Sequence, residues 1–453
     1  MVNTISNFGH QTEDVNLEIS PDKNLSSFCL QSAIRNRDLN GATLLIRFGY
    51  ELNQSDQTGF TPLTLATKNG LTEIVSLLIE SGVDINTPDV NGVTPLMSAM
   101  WEKWKEIAEM LIRKGANPNV YDETGCLPLQ LAAYLGWKDT IYLMINNGCD
   151  INAWDKRGVT ALHFMLNEGN YAIDMIKFLI DAGANVTSPD GTKYSPLTSV
   201  SVDGTTEIAS LLIEKGANVN AQDTHGLSPL TSAIIARNLV MVRFLIKAGA
   251  NANLSDGFGR SPLNKAIVRG DITILRYLIE EGSADINSPD KNDCTALTEA
   301  VRKGHIDIVA LLIEKGCNVN FQHENGLSAI FFAAHFGRYD IAKLLIDGGA
   351  NVNLSPPTSF WLAIFFAVQL ERPDLTYLLI ENGSYINVKD ADGLTPLAHA
   401  VINENQSQMK VLLMNGSDLN LKDNDGHNEM EVALYVKKMK ALKFIAYYLC
   451  TSN

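Results

Sequence analysis

The chain has 453 residues, 45% of them hydrophobic, so it can form a sizeable core. Its formal net charge of −15 argues against a nucleic-acid-binding protein, because such proteins need a basic face to displace counterions from phosphates. The N-terminal residues lack the basic and apolar regions of a signal peptide, and no apolar run reaches the roughly 18 residues that a membrane-spanning helix needs.

The first 22 residues are polar and without periodicity, so we predict a disordered tail at 1–22. From residue 23 onward a helix, a glycine, a polar turn and a second helix recur at a spacing of 33, which slips to 34 or 35 three times. The glycine falls at positions 49, 82, 115, 148, 183, 216, 249, 282, 316, 349, 383 and 416. Each unit is too short to bury a core alone, so neighbouring units must stack.

The copies divide the rest of the chain into three parts. Residues 23–55 form a degenerate first copy, 56–422 hold eleven full copies, and 423–453 form a degenerate last copy. We predict that the terminal copies are caps, since one face of each must meet water. Two copies carry insertions, near 169–171 and near Ser283. The polar turn that begins each copy is called its finger. The copy at Pro357 lacks the Asp and the Gly of this turn, so we expect a distorted finger there.

Within each copy the residue types indicate the local structure. Thr or Ser followed by Pro predicts a helix start, because the hydroxyl caps free N–H groups and Pro suits the first helical position. These starts are at Thr61, Thr94, Ser195, Ser228, Ser261 and Thr395. The short helix that follows is predicted to end at a left-handed glycine such as Gly70 or Gly204. Asp-x-x-Gly, as at Asp56 to Gly59, predicts a hairpin-like turn.

Helix, turn, helix and finger at this period, with T-P-L and G-A-N-V-N signatures, resemble the ankyrin repeat over residues 23–453. The resemblance implies an all-α solenoid of helix-turn-helix units with short β-hairpin-like fingers. One departure concerns the family's T-P-L-H histidine, which is present only at His163. The resemblance also implies that repeat asparagines such as Asn220 are hydroxylation targets, although the structural interpretation is that they satisfy backbone groups at the turn.

The six cysteines, at positions 29, 126, 149, 294, 317 and 450, form no CxxC pair. Cys126 and Cys294 occupy one repeat position, and Cys149 and Cys317 occupy another. This pattern predicts small apolar residues in a reducing compartment, cytoplasmic or nuclear.

No catalytic motif is present, and we predict no enzyme, cofactor or metal site. The turns that begin at Asp423 and Asp390 have glycine as their fourth residue, whereas a calcium-binding EF-hand loop needs glycine as its sixth residue. Cys294 and His323 start neighbouring fingers but supply only two zinc ligands. Cys126 with His163 is a weak candidate for a nucleophile and base, since nothing lowers the thiol pKa on a finger.

In the family the fingers and first helices line a concave groove that binds partner proteins, and this chain places basic residues on both. They are Lys156, Arg157, Lys193, Arg260 and Lys291 on fingers, and Arg269, Arg302 and Lys303 on first helices. In an acidic chain this stripe favours an acidic or phosphorylated partner segment. The alternative is ordinary solvated surface.

Aromatic residues give two more candidate contact regions. Trp101 and Tyr134 occupy one first-helix position in adjacent repeats and are typical interface anchors. Trp104 and Trp137 form a second pair three residues on. A further region comprises Phe331, Phe336, Phe360, Trp361 and Phe365. The alternative for each is packing within the stack.

These observations predict a monomeric, non-catalytic scaffold or adaptor that binds a partner protein in its groove. Two alternatives stay open. One is the substrate-recruiting subunit of a ubiquitin ligase, for which the chain shows no SOCS-box or F-box-like segment after Asp423. The other is an effector that an intracellular bacterium or parasite delivers into its host.

Overall fold

The computed structural model describes residues 30–49, 52–122, 124–167, 172–187, 194–355 and 362–451. The predicted tail, the insertion near 169–171 and the predicted distorted finger after Pro357 lie outside these residues. The chain divides into two compact units. Unit 1 comprises Met1–Asn185 and Asp190–Thr192, and unit 2 comprises Val186–Pro189 and Lys193–Asn453.

Both units consist of short helices joined by turns. The helices of unit 1 are α1 (30–35), α2 (Leu39–Arg47), α3 (Pro62–Lys68), α4 (Thr72–Glu80), α5 (Pro95–Trp101), α6 (Lys105–Arg113), α7 (Pro128–Tyr134), α8 (Lys138–Asn146), α9 (Ala161–Asn167) and α10 (Ile173–Asp181). Those of unit 2 are α11 (Pro196–Asp203), α12 (Thr206–Glu214), α13 (Pro229–Ile235), α14 (Leu239–Lys247), α15 (Pro262–Arg269), α16 (Ile272–Glu280), α17 (Ala296–Lys303), α18 (Ile306–Glu314), α19 (Ala329–His335), α20 (Tyr339–Asp347), α21 (Ala363–Gln369), α22 (Pro373–Glu381), α23 (Pro396–Ile402), α24 (Gln406–Met414), α25 (Glu429–Tyr435) and α26 (Met439–Thr451).

The helices stack in two layers within each unit. In unit 1 the first helices α3, α5, α7 and α9 contact one another in order, and each packs on the second helix of its own repeat. Unit 2 repeats this arrangement from α11 to α25. The apolar spacing of the second helix predicts its buried face: in α4, Ile74, Val75 and Leu78 are buried. Burying one such side chain contributes about 1.5–3 kcal/mol, so the core is distributed over all the repeats.

The predicted helix starts are confirmed. At each of the six Thr-Pro or Ser-Pro sites the hydroxyl oxygen accepts a hydrogen bond from the third N–H of the helix. Ser228 and Thr231 add the reciprocal bond, in which the Ser228 N–H donates to the Thr231 hydroxyl over 2.6 Å. Because the first N–H groups of a helix have no partner within it, these caps define where each helix begins.

The left-handed glycines predicted at the ends of first helices are confirmed with one exception, Gly204. Gly70 has φ 68°, and the Trp104 ring lies so close that a Cβ there would be 2.6 Å from it. Gly204 is extended instead (φ −77°, ψ 175°), and Thr205 caps the next helix. At the insertion, Ser283 adopts the left-handed conformation (φ 52°) in place of Gly282, because the extra residue moves the helix end by one position.

The described turns that follow a second helix are built around one aspartate, except the turn after α18, where His323 stands at this position. At Asp155, the side chain is 3% exposed and its Oδ1 accepts from the N–H groups of Arg157 (2.8 Å) and Val159 (2.9 Å). The Asp155 N–H donates to the Val159 carbonyl, and the Gly158 N–H donates to the Asp155 carbonyl. The same pattern recurs at Asp56, Asp89, Asp223, Asp256, Asp290, Asp390 and Asp423. Fingers are therefore tight turns, and strand-like pairing among the described residues is limited to the isolated bridges Trp154–Thr160 and Gln322–Ser328.

In six of the repeats one asparagine connects the repeat to the next. The Asn220 Oδ1 accepts from the N–H of Asn251 (2.8 Å), and its Nδ2 donates to the Gly249 carbonyl (3.4 Å). Equivalent pairs of bonds are made by Asn86, Asn152, Asn253, Asn320 and Asn353. The backbone satisfaction predicted for this position thus extends across the repeat boundary, and we name the set the asparagine ladder.

Other residues replace the histidine that most copies lack. Gln130 donates through Nε2 to the Val159 carbonyl of the next repeat (2.9 Å) while its Oε1 accepts from the Leu127 N–H. Elsewhere a Thr bonds the capping hydroxyl, as between Thr61 and Thr64 over 2.9 Å. The Arg338 and Arg372 guanidinium groups donate to helix-end carbonyls of the preceding repeat, over 2.9 and 2.7 Å. The link between repeats is therefore spread over several residue types.

The helices of the first and last copies expose large apolar side chains. Leu44 and Phe48 are 59% and 70% exposed, and Leu434, Tyr435 and Tyr447 are 59%, 79% and 69% exposed. Among the residues the structure describes, no helix is long and apolar enough to cross a bilayer.

The Asp155 turn yields a pH-dependent prediction. Burial acts to raise the pKa of Asp155, and hydrogen bonds from Val159, Arg157 and Gln130 outweigh it, so the pKa lies below its ordinary 3.8. The charge therefore stabilises the fold fully above pH 3.8, and the contribution is lost as pH falls through the folded pKa. We expect Asp155→Asn to lower the free energy of unfolding by about 1–3 kcal/mol at pH 7, measured by denaturant titration.

Asp139→Asn is the matched control. That carboxylate is 84% exposed and lies 3.3 Å from Lys105, so its loss should cost less than about 1 kcal/mol. If Asp155→Asn lowered the free energy of unfolding by the same amount at pH 7 and at pH 3, the stabilising role of the Asp155 charge would be contradicted.

The buried cysteines predict slow thiol chemistry. Cys126, Cys149, Cys294 and Cys317 are buried, and burial raises the pKa of each to about 11, whereas Cys450 is exposed. At pH 8 roughly one buried thiol in a thousand is ionised. We expect iodoacetamide to modify Cys450 well before these four, with the difference disappearing in denaturant, as read by peptide mass spectrometry. If iodoacetamide modified Cys450 and the four buried cysteines at comparable rates in the folded chain, the burial of these cysteines would be contradicted.

Candidate partner-binding surface

Two of the predicted basic residues lie on one turn of unit 1. The Arg157 guanidinium lies 3.0 Å from the Asp155 carboxylate, which is the buried carboxylate of the same turn. The Lys156 N–H donates to the Gly125 carbonyl of the preceding turn, and its ammonium lies 5.9 Å from the centre of the Tyr121 ring. The two side chains are exposed but anchored to the turns beneath them. Lys193 lies outside the described residues.

In unit 2 two cations share the turn carboxylate of Asp256. Arg260 Nε is 3.2 Å and Lys265 Nζ is 2.6 Å from Asp256 Oδ2. The Arg260 guanidinium also lies over the Phe258 ring, 4.7 Å from its centre. Burial acts to raise the pKa of Asp256, and the bonds from Lys265 and from the backbone lower it below its usual value. The carboxylate is therefore ionised, and one of the two positive charges is left without a partner charge.

The same two-to-one arrangement occurs on α17. Glu299 accepts from Arg302 over 3.3 Å and lies 3.7 Å from the Lys303 ammonium. Arg302 and Lys303 are both about half exposed. Arg269 ends α15, is exposed, and accepts at its carbonyl from the Arg237 guanidinium.

Arg260 and Arg302 line one cavity of about 330 Å³. Asp290 and Glu299 supply its acidic groups, and Asn264, Asn292 and Asn325 supply amides. His323 is also on the wall, 9% exposed, and burial lowers its pKa below 6.5 against the opposing effect of nearby carboxylates, so the imidazole is neutral at pH 7. The cavity is polar, with Val268, Leu327 and Phe332 as its apolar lining.

Lys291 belongs to a second cavity of about 280 Å³ that shares Asp290, Asn292, His323 and Asn325 with the first. Its ammonium donates to the Gly257 carbonyl over 2.7 Å, which holds it against the preceding turn. Asp293 and Glu324 also line this cavity. The predicted basic stripe is thus a pair in unit 1 and a mixed-charge cluster in unit 2.

Trp101 and Tyr134 end the neighbouring helices α5 and α7 and are 41% and 54% exposed. Tyr134 packs edge-on against Phe164 with 6.2 Å between ring centres. Trp104 is placed differently, since its Nε1 donates to the Lys68 carbonyl and its ring covers Gly70. Trp104 therefore packs on the preceding repeat, yet it is 42% exposed and keeps accessible surface as Trp101 and Tyr134 do.

The third aromatic region is partly core. Phe365 is 1% exposed, whereas Phe336 is 46% exposed. Phe331 packs edge-on against Phe366 at 4.8 Å between centres. Phe360 and Trp361 lie outside the described residues.

The candidate reactive pairs find other partners. The Cys126 thiol lies 3.2 Å from Gln130 Oε1, and its pKa is raised to about 11 by burial. His163 Nδ1 bonds the Thr160 hydroxyl over 2.8 Å. Cys294 and His323 do line one cavity, but the thiol lies 3.8 Å from Glu299 and His323 Nε2 lies 3.3 Å from the Thr298 hydroxyl. These contacts do not give Cys126 and His163 the geometry of an activated nucleophile. Among the described residues, Cys294 and His323, the two zinc ligands considered from the sequence, belong to no group of three close ligand atoms.

Sequence reasoning missed Lys265, Glu299 and the three cavity asparagines. Asp256 and Lys265 are nine positions apart and meet because the helix α15 turns back over its own finger. Spacing alone does not reveal such a pair. The i,i+3 and i,i+4 placement of Arg302 and Lys303 after Glu299 was the available signal for the other cluster.

Comparison with known proteins gives one family. A family model described as ankyrin repeats, three copies to a model, matches residues 30–122, 105–190, 165–256, 248–323, 315–390 and 364–451. A search of curated proteins gave no match to the chain. The matched segments overlap from residue 30 to residue 451 and agree with the stacked helix pairs, the turns and the asparagine ladder, so the chain belongs to the ankyrin-repeat family.

Proposed function

We propose that this chain is a non-catalytic scaffold or adaptor that binds an acidic segment of a partner protein on the fingers and first helices of unit 2. Ankyrin repeats are generally protein-interaction modules. The observation that carries the proposal is the pair Arg260 and Arg302 on one cavity, each sharing its carboxylate with a second cation.

The local charge supports an anionic guest. Four cations, Arg260, Lys265, Arg302 and Lys303, are within ion-pair reach of Asp256 and Glu299 alone. Asp290 adds a third carboxylate, so these groups sum to +1, and Lys291, Asp293 and Glu324 of the adjoining cavity bring the sum to zero, in a chain whose total is −15. A carboxylate or a phosphate monoester fits two guanidinium groups and several amides, because guanidinium binds both anions through paired hydrogen bonds.

The remaining predicted residues extend this surface. Lys291 and Arg269 flank the cluster in unit 2, while Lys156, Arg157, Trp101 and Tyr134 form a second proposed contact area in unit 1. The unpaired state of the described cysteines supports a reducing compartment, which we propose is the cytoplasm or nucleus. We further propose that the chain acts as a monomer.

Selection from a display library of random peptides tests the cavity. The native chain should enrich peptides rich in Asp and Glu, with affinity that falls as salt is raised. The double variant Arg260→Gln, Arg302→Gln should bind the selected peptides with an affinity at least about tenfold lower, because each charge-assisted contact is worth roughly 1.5–3 kcal/mol.

The matched control reverses two exposed cations on second helices, Lys247→Glu and Lys343→Glu. It changes the net charge by −4 and should retain binding. Helicity by circular dichroism checks the fold of each variant. Enrichment of neutral or basic peptides would contradict the acidic-segment hypothesis. Equal binding by the native chain, the arginine variant and the control variant would contradict it as well.

A further inference from the structure

The first helices of unit 2 change from charged to apolar side chains between α17 and α19. The fourth residues of the four helices α15, α17, α19 and α21 are Lys265, Glu299, Phe332 and Phe366. Four positions further on stand Arg269, Lys303, Phe336 and Leu370. The four helices contact one another in this order, and residues four apart lie on one face of a helix. The two rows therefore form one surface, with a charged half on α15 and α17 and an apolar half on α19 and α21.

The outer row of the apolar half is accessible. Phe336 is 46% exposed and Leu370 is 44% exposed. Phe332 stacks against Phe336 with 6.4 Å between ring centres, and it also lines the cavity of about 330 Å³ on which Arg302 lies. Exposed aromatic rings of this kind are typical interface anchors, because covering them removes apolar surface from water. The apolar half is therefore continuous with the wall of the cavity.

Arg338 holds the two halves next to each other. Its guanidinium donates to the Arg302 carbonyl over 2.9 Å and lies 5.3 Å from the centre of the Phe336 ring. The exposed ring is thus fixed beside the end of α17, where Arg302 and Lys303 are about half exposed. Packed helices lie about 8–10 Å apart, a distance that an extended peptide covers in about three residues.

We propose that this surface binds an extended partner segment in which an acidic residue and a large apolar residue are separated by about two to four residues. The inference rests on the proposed function, because the acidic residue occupies the cavity of Arg260 and Arg302. The apolar residue packs on Phe336 and Leu370. Ion pairs alone would select a partner weakly, since carboxylates around the two adjoining cavities balance the cations. The apolar contact supplies further affinity and fixes which acidic residue of the segment enters the cavity.

The sequences of the display peptides that the native chain selects give the first test. They should carry Leu, Ile, Met, Phe or Trp at the proposed spacing from Asp or Glu. Phe336→Ala should lower the affinity for the tightest of these peptides by at least about tenfold, measured by fluorescence anisotropy, because truncating an aromatic anchor removes its buried contact. Changing the apolar residue of the peptide to serine should weaken binding to the native chain by a similar factor. It should weaken binding to the Phe336→Ala chain much less, because both changes remove the same contact.

Tyr377→Ala is the matched control, since this ring is also 46% exposed but lies on the second helix α22. It should bind as the native chain does. Leu370→Ala is a second variant of the apolar half and should also weaken binding, and circular dichroism checks that every variant is helical.

The outcomes separate this inference from the proposed function. Selected peptides that are acidic but have no apolar preference, and that bind equally to the native chain, Phe336→Ala and Leu370→Ala, would overturn the inference and leave the proposed function standing. Selection of peptides that are not acidic would contradict both. A loss with Tyr377→Ala equal to that with Phe336→Ala would overturn the inference as well, because the effect would not be specific to the apolar half.

Discussion

The asparagine ladder is the interaction on which the rest of the structure depends. A turn between repeats leaves backbone N–H and C=O groups that no helix satisfies, and each must find a partner. One primary amide meets both needs, because it donates to the helix-end carbonyl of the next repeat and accepts from an N–H two residues later. Aspartate at this position has no donor, and glutamine is one methylene too long. The hydrogen bonds of the asparagine ladder therefore recur with the spacing of the sequence repeat.

The asparagine ladder leaves the finger positions free to vary in sequence. Where an aspartate organises the turn, the residues after it can change without changing the turn. In two repeats an arginine at this place pairs with that aspartate, as Arg157 and Arg260 do. A basic finger therefore carries less free charge than its sequence indicates, and the excess appears only where a second cation joins, as Lys265 does at Asp256. The mixed-charge cavity of unit 2 follows from this pairing.

Local chemistry made much of the fold predictable from the sequence. The hydroxyl caps, the aspartate turns and the buried face of α4 all depend on residues within one repeat, where spacing determines contact. Gly204 and Ser283 were not predictable in the same way. Gly204 is extended because Thr205 caps the next helix, and an insertion moves the left-handed position from Gly282 to Ser283. The cavity around Arg260 joins residues from three repeats, and no one-dimensional pattern shows which of them meet.

Amide hydrogen exchange of Asn251 in the Asn220→Ala chain tests the ladder most directly. The Asn251 N–H donates to Asn220 Oδ1, and that of Asn351 donates to Asn320 Oδ1 in the same unit. If the ladder joins neighbours, exchange at Asn251 accelerates by at least about tenfold, equivalent to 1.4 kcal/mol, while Asn351 is unchanged. Unaltered exchange at Asn251 would contradict the account. Equal acceleration at both amides would show that the stabilisation is global and not between neighbours.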